Sequence, residues 1–195
     1  DALNANKHVF VEKPICQTWD QLVSLHKVFQ NKSCGLMSNL VLRTSELFKF
    51  VQNKIINGEL GEIFYFEGDY LYGRIEKITE GWRKDIIDYS VMLGGGIHMI
   101  DLMLNLSGQK PSHVSSIGSK ITTEGTKFKY NDFQSSTFYF SSGMIGKITA
   151  NFGCMHPHQH IVKIYGTKGT FIYDDRGARI FIERFDGATS QAINK

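Results

Sequence analysis

The sequence predicts an α+β protein: a short α/β segment followed by a mostly antiparallel, open β-sheet domain covered by helices. Three observations carry this. Residues 1–40 hold a strand, an amphipathic helix and a second strand. Residues 63–184 hold a succession of alternating strands separated by short polar turns. One helical run, residues 96–107, is apolar on most sides and therefore belongs in a core.

Taken in order, His8-Val9-Phe10-Val11 is a short apolar run of the parallel-strand kind, stopped by Glu12-Lys13-Pro14. Thr18 followed by Gln21 forms a capping box, and Leu22, Val23, Leu25, Val28 and Phe29 give the following helix its apolar stripe. Residues 35–40 read as a second strand, with Arg43 just past its end. Ser45 opens another helix carrying Leu47, Phe48, Val51, Ile55 and Ile56, and Asn57-Gly58 closes it. Ile63 to Tyr72 alternates, with Phe64, Phe66, Tyr70 and Tyr72 on one side and Glu67 and Asp69 on the other. A polar loop from Gly73 to Ser90 holds Arg74, Trp82 and Arg83. Beyond Gly108 and Pro111 come strands 114–121, 133–140, 144–152, 161–165, 170–173 and 179–184; sequential pairing through tight turns would make the sheet antiparallel. The polar tail, Asp186 to Lys195, is expected to be loosely ordered.

Between loop and sheet lies Met92-Leu93-Gly94-Gly95-Gly96-Ile97-His98-Met99-Ile100-Asp101. Three glycines bring the backbone to a helix start, where a ligand can approach closely and the first amides are free. His98 and Asp101, three residues apart, share one face of that helix. An imidazole titrates near neutrality and suits proton exchange with a hydroxyl, and a carboxylate can orient it or stabilise the helix N-terminus.

Composition removes several function classes. The net charge of +3 is spread along the chain without a basic run, so no nucleic-acid or membrane-surface partner is expected. No apolar stretch approaches the roughly 20 residues of a membrane span, and the first residues lack a signal-peptide pattern. Three widely separated cysteines argue for a reducing compartment, with the cytoplasm expected. Cys154, His156, His158 and His160 alternate as zinc ligands on one strand face could, but Pro157 breaks the geometry. No metal is expected, and His156 or His160 is read instead as a substrate contact.

Three segments in the same order resemble one family. Lys7-His8-Val9-Phe10-Val11-Glu12-Lys13-Pro14 resembles the Glu-Lys-Pro signature of the glucose-fructose oxidoreductase, inositol dehydrogenase and MocA (Gfo/Idh/MocA) oxidoreductases. Gly94 to Asp101 is similar to that family's glycine-rich stretch with its substrate-site histidine. Tyr165-Gly166-Thr167-Lys168-Gly169-Thr170 is similar to its sheet-strand turn, and Gly58-Glu59-Leu60-Gly61-Glu62 precedes the first long strand. The resemblance implies that residues 1–40 are the C-terminal remnant of a Rossmann domain binding NAD or NADP. Residues 41–195 would be the substrate and oligomerisation domain, forming a homo-oligomer through the open sheet.

It further implies that the full-length protein oxidises or reduces a hydroxyl or keto group of a sugar, polyol or sugar nucleotide. Lys13 and His98 would be catalytic, and Glu12, Lys13 and Pro14 would lie by the cofactor; Pro14 suggests a fixed turn, cis or trans, that aims the lysine. Arg43, Tyr72, Trp82, Arg83, Asp101 and His160 are candidate substrate contacts, the rings as an apolar face and the arginines for phosphate or carboxylate. The chemistry is consistent: the base takes a proton from oxygen, an ammonium stabilises developing alkoxide charge, and only a cofactor can accept a hydride.

Two departures stand out. Many members carry an aspartate four residues before the histidine, where this chain has Gly94, so Asp101 or Asp88 would have to supply that carboxylate. No G-x-G-x-x-G occurs anywhere in the 195 residues, so the chain is expected to begin inside a domain and to bind dinucleotide poorly by itself. The alternative is a truncated, non-catalytic homologue acting as a ligand-binding or oligomerisation module.

Overall fold

The computed structural model describes residues 1–184 and 191–193. The chain divides into two compact units, Asp1–Val41 and Leu42–Lys195.

The first unit is a parallel β-strand pair joined by a helix. β1 (Val9–Val11) and β2 (Leu36–Ser38) pair with Val9 opposite Leu36 and Val11 opposite Ser38, and α1 (Trp19–Phe29) connects them. Thr18 Oγ1 accepts the Gln21 amide and Gln21 Oε1 accepts that of Thr18, both at 3.3 Å, so the capping box closes as the sequence predicts. The Lys13–Pro14 peptide is cis. Val9, Val11, Leu25, Val28 and Leu36 line an open apolar cleft of about 660 Å³ within this unit.

A 3-10 turn, Val41–Thr44, starts on the last residue of the first unit; the second unit then holds α2 (Glu46–Ile56), β3 (Ile63–Leu71) and a one-turn α3 (Glu76–Thr79) in the 73–90 loop. α4 (Ile97–Ser107) then crosses the sheet. The remaining strands are β4 (Pro111–Ser119), β5 (Phe133–Phe140), β6 (Ile145–Asn151), β7 (Gln159–Gly166), β8 (Thr170–Asp174), β9 (Gly177–Phe181) and β10 (Gln191–Ala192). Among the described residues they form one eight-stranded sheet in the order β10-β9-β8-β7-β3-β6-β5-β4.

One pairing departs from the sequential antiparallel expectation. β3 sits between β6 and β7, antiparallel to β7 but parallel to β6, with Tyr65 opposite Ile145 and Leu71 opposite Asn151. A parallel neighbour cannot be reached through a tight turn; the connection runs instead through α4 and two further strands. Strand 179–184 is also corrected to β9, which starts two residues and ends three residues earlier. The expected loose tail falls largely outside the described residues.

The core lies between α4 and one face of the sheet. Met99, Leu102 and Met103 are fully buried against Phe66, Ile148, Ala150, Val162 and Ile164. Phe66, Gly68 and Tyr70 of β3 face it, while Tyr65, Glu67 and Asp69 lie on the open face, where Glu67 pairs with Lys147 and Lys163. Gly68 sets the depth of packing, since a Cβ there would come within 3.1 Å of Met99 Cβ.

Candidate functional site

The glycine-rich stretch is not the helix start that its composition suggests. Residues Met92–Gly96 form a π-helical turn continuous with α4, and the Gly94 amide already donates to Ser90 O at 2.8 Å. The start is earlier: Ser90 Oγ accepts the Met92 amide at 3.1 Å and donates to Gln134 Oε1 at 3.2 Å. The glycines admit neighbouring side chains rather than an open backbone cradle. A Cβ on Gly95 would overlap the Tyr70 ring, and one on Gly96 the Met92 sulfur.

His98 and Asp101 are both buried, each 8% exposed, on α4. Asp101 is held by Arg43, whose Nε donates to Oδ2 at 2.8 Å and Nη2 to Oδ1 at 2.5 Å. Hydrogen bonding to this carboxylate raises the Arg43 pKa further. Two candidate substrate contacts thus engage each other, and the pair ties the segment preceding α2 to α4.

His98 belongs to a cluster of rings. Tyr70 stacks on it at 6.1 Å between centroids and also on Phe152 and Tyr72, at 5.8 Å each. His158 and His160 flank Tyr70 at 5.1 and 5.2 Å and meet each other edge-on at 5.0 Å. Burial pushes the Tyr70 phenol up to about 12. Burial and the neighbouring His158 and His98 lower His160 to about 4, so this imidazole is neutral near pH 7. β7 begins only at Gln159, so Cys154, His156 and His158 precede it and do not share a strand face with His160. His156 Nδ1 faces its neighbour Pro157 O at 2.8 Å. Among the described residues no group of three or more His, Cys, Asp or Glu side chains could hold a metal.

Around this cluster stand the cations of the 73–90 loop. Arg74 lies over the Tyr72 ring at 5.5 Å, and Arg83 over the exposed Trp82 at 4.5 Å. Arg83 also lies beside the buried Tyr89 phenol, whose pKa is raised by burial and partly drawn back by that guanidinium. The sequence reading does not single out Tyr89, and it marks His158 only as one of four alternating residues of a conceivable zinc site. Tyr89 Oη fills the space that a Cβ on Gly94 would take, so no side chain can project from that position without displacing it. A bulky polar residue five positions before a glycine was the available signal. Asp88, the other carboxylate candidate, has φ 57° and gives its amide to Tyr130 Oη at 2.5 Å.

In the first unit, Glu12 Oε1 accepts Asn39 Nδ2 at 2.6 Å, and Lys13 is half-buried at its cis bond to Pro14. Glu12, Lys13 and Pro14 could fit one corner of a dinucleotide, through an ammonium donor and a fixed turn. No glycine-rich phosphate-binding loop occurs in this sequence to hold the rest of that group.

Comparison with known proteins gives the site a context. The domain described as the GFO/IDH/MocA C-terminal domain matches residues 48–172. A 2,7-anhydro-N-acetylneuraminate hydratase of Escherichia coli (strain K12) is 26% identical over 89% of this chain and 46% of its own length. From the same organism, the uncharacterized oxidoreductase YhhX is 29% identical over 88% of the chain and 47% of its own length. Among solved structures, a levoglucosan dehydrogenase in complex with NADH and L-sorbose superposes over 100% of this chain and 56% of that one, with TM-score 0.87 and 20% identity. The chain thus spans about half the length of the curated relatives it matches, and the superposition shows a shared fold.

Proposed function

Because the chain belongs to the Gfo/Idh/MocA family of oxidoreductases, we propose that it is the substrate-domain part of a nicotinamide-dependent enzyme. Its reaction would exchange a hydride with a hydroxyl or keto group of a sugar, polyol or sugar nucleotide. The observation that carries the reading is His98, buried on α4 and stacked against Tyr70 beside the Arg43–Asp101 pair.

In this proposal His98 takes the proton from the substrate hydroxyl during oxidation and returns it during reduction. Asp101, fixed by Arg43, holds the α4 backbone and with it the imidazole, and so acts as a positioning residue. Tyr72, Trp82 and the neutral His160 offer ring faces and a hydrogen-bonding nitrogen to a sugar. Lys13 enters on the family resemblance alone, as an ammonium that stabilises alkoxide charge. A bound nicotinamide would supply the hydride acceptor or donor, whether NAD or NADP.

The test is a dehydrogenase assay of the full-length protein with NAD and NADP over a panel of sugars, polyols and nucleotide sugars, read at the nicotinamide absorbance and by product analysis. Replacing His98 by Ala is expected to lower kcat by about 10²- to 10⁴-fold. Undiminished turnover in that variant, with the fold intact by circular dichroism, removes the proposed base and the mechanism with it.

A further inference from the structure

The charges facing the ring cluster are one-sided. The backbone of the exposed Arg74 is held three residues past β3: its amide donates to Tyr72 O at 2.7 Å, and a Cβ on the preceding Gly73 would overlap His156 O and reach Cys154 O at 2.7 Å. Its guanidinium lies over Tyr72, which stacks on Tyr70, which stacks on His98. Arg83 approaches from the loop, beside Tyr89 and over Trp82. Both guanidinium charges act on the Tyr70 phenol, and Arg74 also acts on His158.

No carboxylate among the described residues pairs with them. Among the described residues neither Arg74 nor Arg83 takes part in an ion pair. Asp101 is committed to Arg43, and Asp85 to Lys84 at 3.2 Å. The charged neighbours acting on Tyr70, Tyr89, His158 and His160 comprise the two arginines, other tyrosines and other histidines, with no acid among them. Two guanidinium groups over aromatic rings, with no ion-pair partner among the described residues, suit an anionic ligand group, because guanidinium forks match carboxylate and phosphate oxygens.

We propose that the substrate of this site carries an anionic group, a carboxylate or a phosphate, and that Arg74 and Arg83 hold it while the sugar-like body lies along Tyr72 toward His98. The inference rests on the dehydrogenase reading for the position of the reacting carbon, but not for the binding of the anion.

The experiment uses the full-length protein and matched ligand pairs: glucose against glucuronate for a carboxylate, and N-acetylglucosamine against its UDP derivative for a phosphate. Turnover is measured with NAD and NADP, and binding by calorimetry. The expected result is at least tenfold higher kcat/KM, and tighter binding, for one anionic member over its neutral partner. Arg74→Gln and Arg83→Gln should each reduce that ratio by about tenfold, with Arg→Lys restoring part of it. Neutral partners preferred in both pairs, ratios unmoved by the Gln variants, or variants that raise KM for the dinucleotide alone would each overturn the proposal. Turnover of neutral sugars without anion preference sinks this inference and leaves the oxidoreductase reading standing. Arginine-dependent binding of glucuronate or the UDP sugar without turnover of any ligand does the reverse.

Discussion

At Gly94 a single hydrogen in place of a side chain lets Tyr89 set its phenol against the helix one turn ahead of His98. The two positions form an alternative: a carboxylate projecting from 94, or a tyrosine lying over it. Gly94→Asp alone is therefore expected to destabilise the chain by about 1–3 kcal/mol, as overpacking commonly does. Tyr89→Ala in the same chain should recover part of that loss, because it vacates the contested volume. A double-mutant cycle on urea midpoints measures the coupling, and strictly additive effects would show that the two residues do not compete. His160 offers a second test at this scale. Its folded pKa of about 4 lies below the unfolded value of 6.5, so the unfolded chain binds a proton that the native site rejects. The stability this imidazole contributes is complete above about pH 6.5 and is lost as pH falls from there toward 4. His158 faces it and is shifted in the same direction by burial and by Arg74, which adds to the trend. The urea midpoint of wild type should thus fall more steeply over this range than that of His160→Gln; parallel curves would remove His160 from the account.

At the level of elements, the helical segment from Met92 to Ser107 gives the sharpest contrast between neighbouring residues. A Cβ on Gly95 meets the Tyr70 ring and comes to 3.0 Å from Phe152, and these rings are locked in a stack, whereas one on Gly96 meets the movable thioether of Met92. Gly95→Ala is expected to cost about 1–3 kcal/mol and Gly96→Ala clearly less, as thermal denaturation would show. The same segment marks how far the sequence could be read. Thr18 with Gln21 announced α1, the 133–140 alternation matched β5 at both ends, and the alternation in β3 turned Phe66 and Tyr70 inward, because each of these depends on near neighbours in the chain. The three glycines misled because local propensity says "helix start", while the actual demand on them is for room: Tyr89 packs on Gly94, the β3 ring of Tyr70 on Gly95, and the Met92 thioether on Gly96. Ser90, a helix-capping residue two positions before Met92, was the better signal. The ring cluster was half legible. His98 and Tyr72 stood out by motif and alternation, whereas the alternation that includes His158 points to a metal rather than to the rings, and Tyr89 is brought in by a loop whose path leaves no periodic trace.

Across the second unit as a whole, the sheet order sets a constraint on assembly. β4, β5 and β6 follow one another in chain and in space, as do β7, β8 and β9, but β3 pairs with partners about 80 to 100 residues downstream. Contacts of that separation carry a loop-closure cost that local hairpins do not. During synthesis, Tyr70 therefore emerges long before its companions. Until Gln159–Gly166 has cleared the ribosome, β3 has only one flank to zip against, and the platform on which His98 rests is unfinished. A release of the nascent polypeptide between β6 and β7 would leave the β4–β6 meander with β3 exposed on its outer edge, and no imidazole cluster around Tyr70.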